Sequence, residues 1–384
     1  MLSFEFSETH DAFRDTIRRF SRSELLPGYI ERANRNEYPW KEHKQLAELG
    51  VLAVGLPEEF GGTGEEDVIA LGIASEEIAY ADMTLASGPC HSDTMGSLLA
   101  AGGTQAIKEK YLPGLISGEL MLSLGLTEAG SGSDAAAMRM TATKVDGGWI
   151  LNGEKNSVSH IKASSATIVF ARAPNTEKSK GVSVFIVDLS LPGITIGYYN
   201  DMGLMPIARG TVSFENVFIP EECLIGEEGR GFSLVMNRFD FSRAAIALRC
   251  LGAAQASLDE TAQYIKERET FGKPLSTRQG ITIPLAEHYT KIEACRWMCY
   301  RTLWLRHTGQ KHTAEAAMCK WWGPRVARDA IETALLIHGH GGWSDLLPFQ
   351  NRFRDVMGFF IGDGTPEIQK LIISRERIGR EVMD

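Results

Sequence analysis

The chain has 384 residues, of which 43% are hydrophobic and 23% charged, and it carries a net charge of −9. Such a length supports a large core shared by two or three domains. The acidic balance and the lack of any long basic tract exclude nucleic acid as the main partner. No apolar run approaches the roughly 18 residues of a membrane helix, which excludes membrane insertion.

The first third reads as helical. In "DAFRDTIRRFSRSELLPGYIERA", "WKEHKQLAELGVL", "DVIALGIASEEIAYADM" and "TQAIKEKYLPGLI", apolar residues recur at three- and four-residue spacing. The breaker-rich "PEEFGGTGEED" separates two of these runs. Near Met121 the texture becomes short and β-rich: "TATKV", "GWILNG", "SATIVFARA", "GVSVFIVDL", "GITIGYY" and "GTVSFENVFI". Turn clusters at Asp146-Gly147-Gly148 and "APNTEKSKG" divide them, so an antiparallel barrel or sandwich is expected. After "EEGRGF" the chain is helical again, in "AAIALRCLGAAQASLDETAQYIKERETF" and "TAEAAMCKWWGPRVARDAIETALLIHG". The expected class is α+β, with a helical domain at 1–120, a β domain at 121–228 and a helical bundle at 229–384. Ligands favour the clefts between such domains.

Six cysteines are scattered widely, which fits reduced thiols rather than a disulfide framework. Cys295 and Cys299 share one helical face and read as buried apolar thiols. The start "MLSFEFSETH" has neither a secretory nor a transit pattern, so a cytoplasmic protein is expected. "HGHGG" places His338 and His340 without a thiol or carboxylate partner, and reads as a packed loop rather than a metal site.

Two segments carry chemistry. "LGLTEAGSGSDAAAM" is rich in glycine and hydroxyl residues, which expose backbone N–H groups and let a planar or anionic ligand approach. "GFFIGDGTPEIQ" puts one carboxylate, Asp363, between two glycines at a turn. With "NGEKNSVSH", "MGLMPIARGTVSFENVFIP", "ERETFGKPLSTRQGI" and the long segment from Gly339 to Gly379, these motifs resemble the acyl-CoA dehydrogenase family over nearly the whole chain.

The resemblance implies an FAD enzyme that oxidises an acyl-CoA thioester between Cα and Cβ and passes electrons to an electron-transferring flavoprotein. Leu124, Leu126, Thr127, Gly132 and Ser133 match flavin contacts, and Ser133 also matches a substrate contact. Ser159 stands where the family places a hydroxyl near flavin N5. Thr365 and Glu367 match further FAD contacts. Arg268, Thr270, Phe271 and Gln279 match positions that reach a neighbour's FAD, which implies at least a dimer; the family's habit is a tetramer. Asp240, Arg243, Gly364 and Arg375 match thioester contacts, and Asp363 matches the base that takes the α-proton.

The departures concern size. Asp363 replaces the usual Glu and is one methylene shorter. Ser157 stands in place of a Trp that covers the flavin, and Gly362 in place of an aromatic residue. Leu336 and His340 replace a common Gln and Gly on the adenine side. The alternative base position of some relatives is Ser242, which supplies no carboxylate. Lost aromatic bulk beside the reacting carbon points to a ring or branched acyl group, and "IGDGTPEIQK" with Asp as base resembles the alicyclic branch, the cyclohexane-1-carboxyl-CoA dehydrogenases. Asp93 in "GPCHSDTMG" is either a second base for 1,4-elimination from cyclohex-1-ene-1-carboxyl-CoA or a capping or wall residue; the wall or cap is favoured. Three competing functions stay open: a short- or branched-chain acyl-CoA dehydrogenase, a nitroalkane-oxidase-like flavoenzyme that would need no CoA, and a noncatalytic CoA-binding relative.

Overall fold

A computed structural model describes residues 5–176, 180–379 and 381. The turn read at "APNTEKSKG" falls partly outside them, at 177–179, as do the first four residues of the N-terminal reading.

Six helices come first: α1 (Glu8–Phe20), α2 (Tyr29–Ala33), α3 (Trp40–Glu48), α4 (Val68–Ala81), α5 (Gly88–Gly102) and α6 (Gln105–Ile116). Their starts are written locally. Ser7, Asp67 and Thr104 each accept a backbone N–H of the first turn, of His10, Ala70 and Ile107 respectively. Helix α4 is apolar nearly all round and is buried over almost its full length, as a central helix must be. Its two carboxylates survive burial because arginines meet them. Glu77 accepts from Arg18 and Arg22, and Glu76 from Arg296 and Tyr300.

The middle section is β1 (Leu122–Gly125), β2 (Thr141–Val145), β3 (Gly148–Val158), β4 (Ala166–Arg172), β5 (Val182–Asp188), β6 (Ile194–Tyr198), β7 (Gly210–Pro220) and β8 (Leu224–Ile225). They form one eight-stranded sheet in the order β6-β7-β3-β2-β4-β5-β8, with β1 added to β4. Most neighbours are antiparallel, but β1 runs parallel to β4, so the sheet is mixed. One face carries its own core around Trp149, Phe185 and Val212. The other packs against α5 and α6 through Leu98, Leu112, Leu122, Ile168 and Val184. The junction between helices and sheet is therefore a continuous apolar seam.

The last section holds α7 (Gly231–Glu267), a small hairpin of β9 (Glu269–Thr270) and β10 (Lys273–Pro274), α8 (Gln279–His307), α9 (Thr313–Ile337), α10 (His340–Trp343), α11 (Phe349–Met357) and α12 (Pro366–Arg377). Helices α7, α8 and α9 pack together with α4 in the largest core. Gly252 allows the closest crossing: a Cβ there would lie 2.3 Å from Glu76 O of α4. Cys295 and Cys299 are fully buried in this core, and all six thiols are free. Among the described residues, no helix is long and apolar enough to cross a membrane.

Candidate active site

The expected base lies on a constrained turn. Asp363 has φ 54° and Gly364 φ 89°, a left-handed pair that glycine adopts freely and Asp tolerates. The turn is held from below. The Lys320 ammonium, on α9 and only 1% exposed, donates to Phe359 O at 2.7 Å and Gly364 O at 3.3 Å. The Gln369 side chain, fully buried, donates to Asp363 O at 3.0 Å and Gly364 O at 3.3 Å. Thr365 caps α12 by accepting from Ile368 N. With its carbonyls pinned, the turn leaves Asp363 exposed.

Two cations lie within electrostatic reach of its carboxylate. Arg243 on α7 feels the Asp363 charge and is held by Asp240 at 2.5 Å, which in turn accepts from Thr313 at 2.7 Å. Burial pushes the Lys320 ammonium down from its usual range, while the nearby Asp363 charge works the other way. Asp240, Arg243, Asp363 and Gly364 thus converge at one end of α7. Arg375 and Glu367 lie exposed on α12.

The glycine- and hydroxyl-rich segment follows β1. A Cβ on Gly130 or Gly132 would meet nothing within 4 Å, so the backbone there is open to a ligand. Ser131 Oγ is buried with no hydrogen-bond partner. Beneath the segment lies Lys155 of β3, fully buried, donating to Leu126 O at 3.0 Å and to Glu128 at 2.8 Å. Burial works to raise Glu128, but the Lys155 bond and charge and two backbone N–H donors outweigh it and hold the carboxyl below its usual range. An anchored segment with open glycines, half-buried Leu124 and Thr127, and exposed Gly132 and Ser133 fits a flavin and its phosphates. At the end of β3 a register shift and φ 61° at Ser157 turn the strand, and half-buried Ser159 follows. Ser157 accepts from Arg209 at 2.7 Å.

Arg268, Phe271 and Gln279 do not join this cleft. They lie exposed around the β9–β10 hairpin, where Phe271 is 97% exposed, and half-buried Thr270 sits beside them. Asp93 is inside α5 rather than at its cap, 1% exposed, accepting from Ser97 at 3.3 Å beside the Gly55 turn. Sequence reasoning missed Lys320 and Gln369, and also Arg249 of α7, which is 7% exposed and donates to Met83 O at 2.7 Å. The signal was available for two of them: a single cation in the otherwise apolar runs "AAIALRCLGAA" and "AAMCKWWG".

A histidine cluster closes the junction behind Ser159. His160 meets His91, with ring centroids 4.7 Å apart, and Tyr38 at 5.4 Å; His43 bonds Tyr38 at 3.0 Å. Burial pushes all three histidines below their usual value, His43 to about 4. They are neutral in the fold and take protons on unfolding, so stability is lost as pH falls from about 6.5 toward 4. Between pH 7 and pH 5, His43 alone should cost about 2 kcal/mol. Denaturant melts at the two values should show a smaller loss for His43→Phe; equal losses would contradict this.

The family description "Acyl-CoA dehydrogenase, N-terminal domain" matches residues 7–119, the middle domain 123–217 and the C-terminal domain 229–378. The chain is 35% identical to the mouse (Mus musculus) short-chain specific mitochondrial acyl-CoA dehydrogenase, over 97% of this chain and 90% of that one. It is 32% identical to the caffeyl-CoA reductase–Etf complex subunit CarC of Acetobacterium woodii, over 96% and 98%. The structure of butyryl-CoA dehydrogenase from Megasphaera elsdenii superposes with a TM-score of 0.92 at 31% identity, over 98% of this chain and all of that one. The chain belongs to the acyl-CoA dehydrogenase family and is an oxidoreductase with FAD as its cofactor.

Proposed function

We propose that the enzyme removes the α-proton of an acyl-CoA thioester with Asp363 while the β-hydrogen leaves as hydride, and that its acyl group is cyclic or branched. The observation that carries this reading is the Asp363 turn, fixed through three carbonyls by Lys320 and Gln369 and faced by Arg243. A base gains most from being fixed at one distance and angle to the carbon it deprotonates. Bound FAD supplies the hydride acceptor. Leu124, Leu126, Thr127, Gly132, Ser133, Ser157, Ser159, Thr365 and Glu367 would hold it, and Arg268, Thr270, Phe271 and Gln279 would reach the FAD of a second subunit. Arg243, Asp240, Gly364 and Arg375 would orient the thioester. An electron-transferring flavoprotein would take the electrons, as the name of the Acetobacterium relative suggests.

The wide acyl group is read from the space beside the base. A Cβ on Gly362 would meet only Gly358 O, at 3.7 Å, so a side chain is sterically possible there and its lack leaves room. The caffeyl group named for the same relative also carries a ring. Anaerobic turnover with an artificial acceptor tests the preference: cyclohexane-1-carboxyl-CoA should be oxidised faster than butyryl- or octanoyl-CoA. The reverse order overturns the ring reading. Oxygen consumption with nitroalkanes would favour a nitroalkane-oxidase-like enzyme instead.

A further inference from the structure

A buried cation on α7 has no role in the chemistry above. Arg249 shares one face of α7 with Ser242 and Ile246, at three- and four-residue spacing. Ser242 and Ile246 keep partial exposure although α4, α8 and α9 surround the helix, so this face borders internal space. On neighbouring α5, Cys90, His91 and Thr94 are partly exposed in the same way. Cys90, His91 and His160 all lie within electrostatic reach of Arg249. From Ser242, beside the thioester end, to Arg249 the helix rises about 10 Å. That is the scale of a short acyl group.

The Arg249 guanidinium is poorly satisfied. It is 7% exposed, its Nε donates to Met83 O at 2.7 Å, and it lies 4.8 Å from the Phe359 ring, four residues before Asp363. Its Nη2 is buried with no hydrogen-bond partner, and so is His160 Nδ1. The carboxylates nearby are engaged elsewhere. Asp82 accepts from Arg32 and from the N–H groups of Thr84 and Leu85, while Asp355 accepts from Leu204 N and Tyr29. A guanidinium carries five donors, and a buried one left without an anion is costly to keep. Such a group is retained where a ligand supplies the missing partner.

We infer that Arg249, with His160 beside it, forms a terminal subsite that receives a carboxylate at the far end of the acyl group, so that the substrate is the monothioester of a compact dicarboxylic acid. This rests on the acyl-CoA reading and narrows it. A carboxylate matches the fork of Arg249 in shape and charge. It also explains why a cation occupies a helix face that is otherwise apolar.

Anaerobic calorimetry of the holoenzyme tests the subsite with two matched pairs: adipyl-CoA against hexanoyl-CoA, and cyclohexane-1,4-dicarboxyl mono-CoA against cyclohexane-1-carboxyl-CoA. In each pair the acid-ended thioester should bind at least about tenfold tighter. Arg249→Met should abolish that preference while keeping the affinity for the apolar-ended thioesters, and Arg249→Lys should retain part of it. Equal or weaker binding of the acids by the wild type overturns the inference. So does an Arg249→Met protein that loses both members of a pair alike, which would mark a structural role. Should Arg249→Met fail to fold, the wild-type pairs and Arg249→Lys still decide. Flavin bleaching is recorded in the same samples. If no thioester bleaches it, the dehydrogenase reading fails on its own, while the calorimetry still reports the terminal preference.

Discussion

Asp363→Asn should slow flavin reduction by acyl-CoA about a thousandfold or more while leaving thioester affinity within a few-fold. The substitution keeps the shape of the side chain and the left-handed turn, which Asn tolerates as well as Asp. Lys320 and Gln369 hold the turn through the backbone carbonyls of Phe359, Asp363 and Gly364, and neither bonds the Asp363 carboxylate. What is lost is the proton acceptor alone. Asp363→Glu should keep a base but push it about one methylene too far, with a loss of roughly tenfold on the preferred substrate. Stopped-flow absorbance of the anaerobic reductive half-reaction reads both. A wild-type rate in Asp363→Asn would remove Asp363 from the chemistry.

Lys320→Met should be nearly as damaging to rate, although Lys320 reaches the turn only through carbonyls. The variant frees Phe359 O and Gly364 O from a buried donor. Phe359 O is left unsatisfied, which costs on the order of 1–3 kcal/mol, while Gly364 O keeps the Gln369 donor. Removing a desolvated ammonium that makes no carboxylate bond offsets much of that. The net change in melting temperature should therefore be small. The turn, however, loses its anchor, and a displacement of about 1 Å at a base is enough for a hundredfold loss in flavin reduction. Thioester affinity should hold, because Arg243 and Asp240 keep their own contact. Gln369→Leu removes the second anchor and should act in the same direction. A large fall in melting temperature with an unchanged rate in the surviving protein would assign Lys320 a purely structural role.

The local geometry of the candidate site was readable where its residues are contiguous. The Leu124–Ser133 segment and the Asp363 turn are local arrangements of glycine, hydroxyl and carboxylate, and the fold keeps them as a segment with open glycines after β1 and a left-handed turn before α12. The order of helical, β and helical sections was equally open to reading, since periodicity is a local signal. Strand β1 was not: its four residues become a strand only by pairing with β4, far along the chain. Helix α5 was legible only through the resemblance, which made Asp93 a wall or capping residue; its Gly-Pro start and its His and Ser leave little amphipathicity to read, and the near-complete burial of Asp93 shows only in the fold. Lys320 and Arg249 are marked in the sequence only as lone cations in apolar runs. Their importance comes from burial against Phe359, Gly364 and Met83, which only tertiary packing creates.

The central claim is that Asp363 takes the α-proton of an acyl-CoA. Anaerobic incubation of an α-deuterated acyl-CoA in ordinary water, followed by mass spectrometry of the recovered thioester and its product, measures that step by itself. The wild-type enzyme should release the α-deuterium to solvent and Asp363→Asn should retain it. Label lost at the wild-type rate in Asp363→Asn would contradict the account.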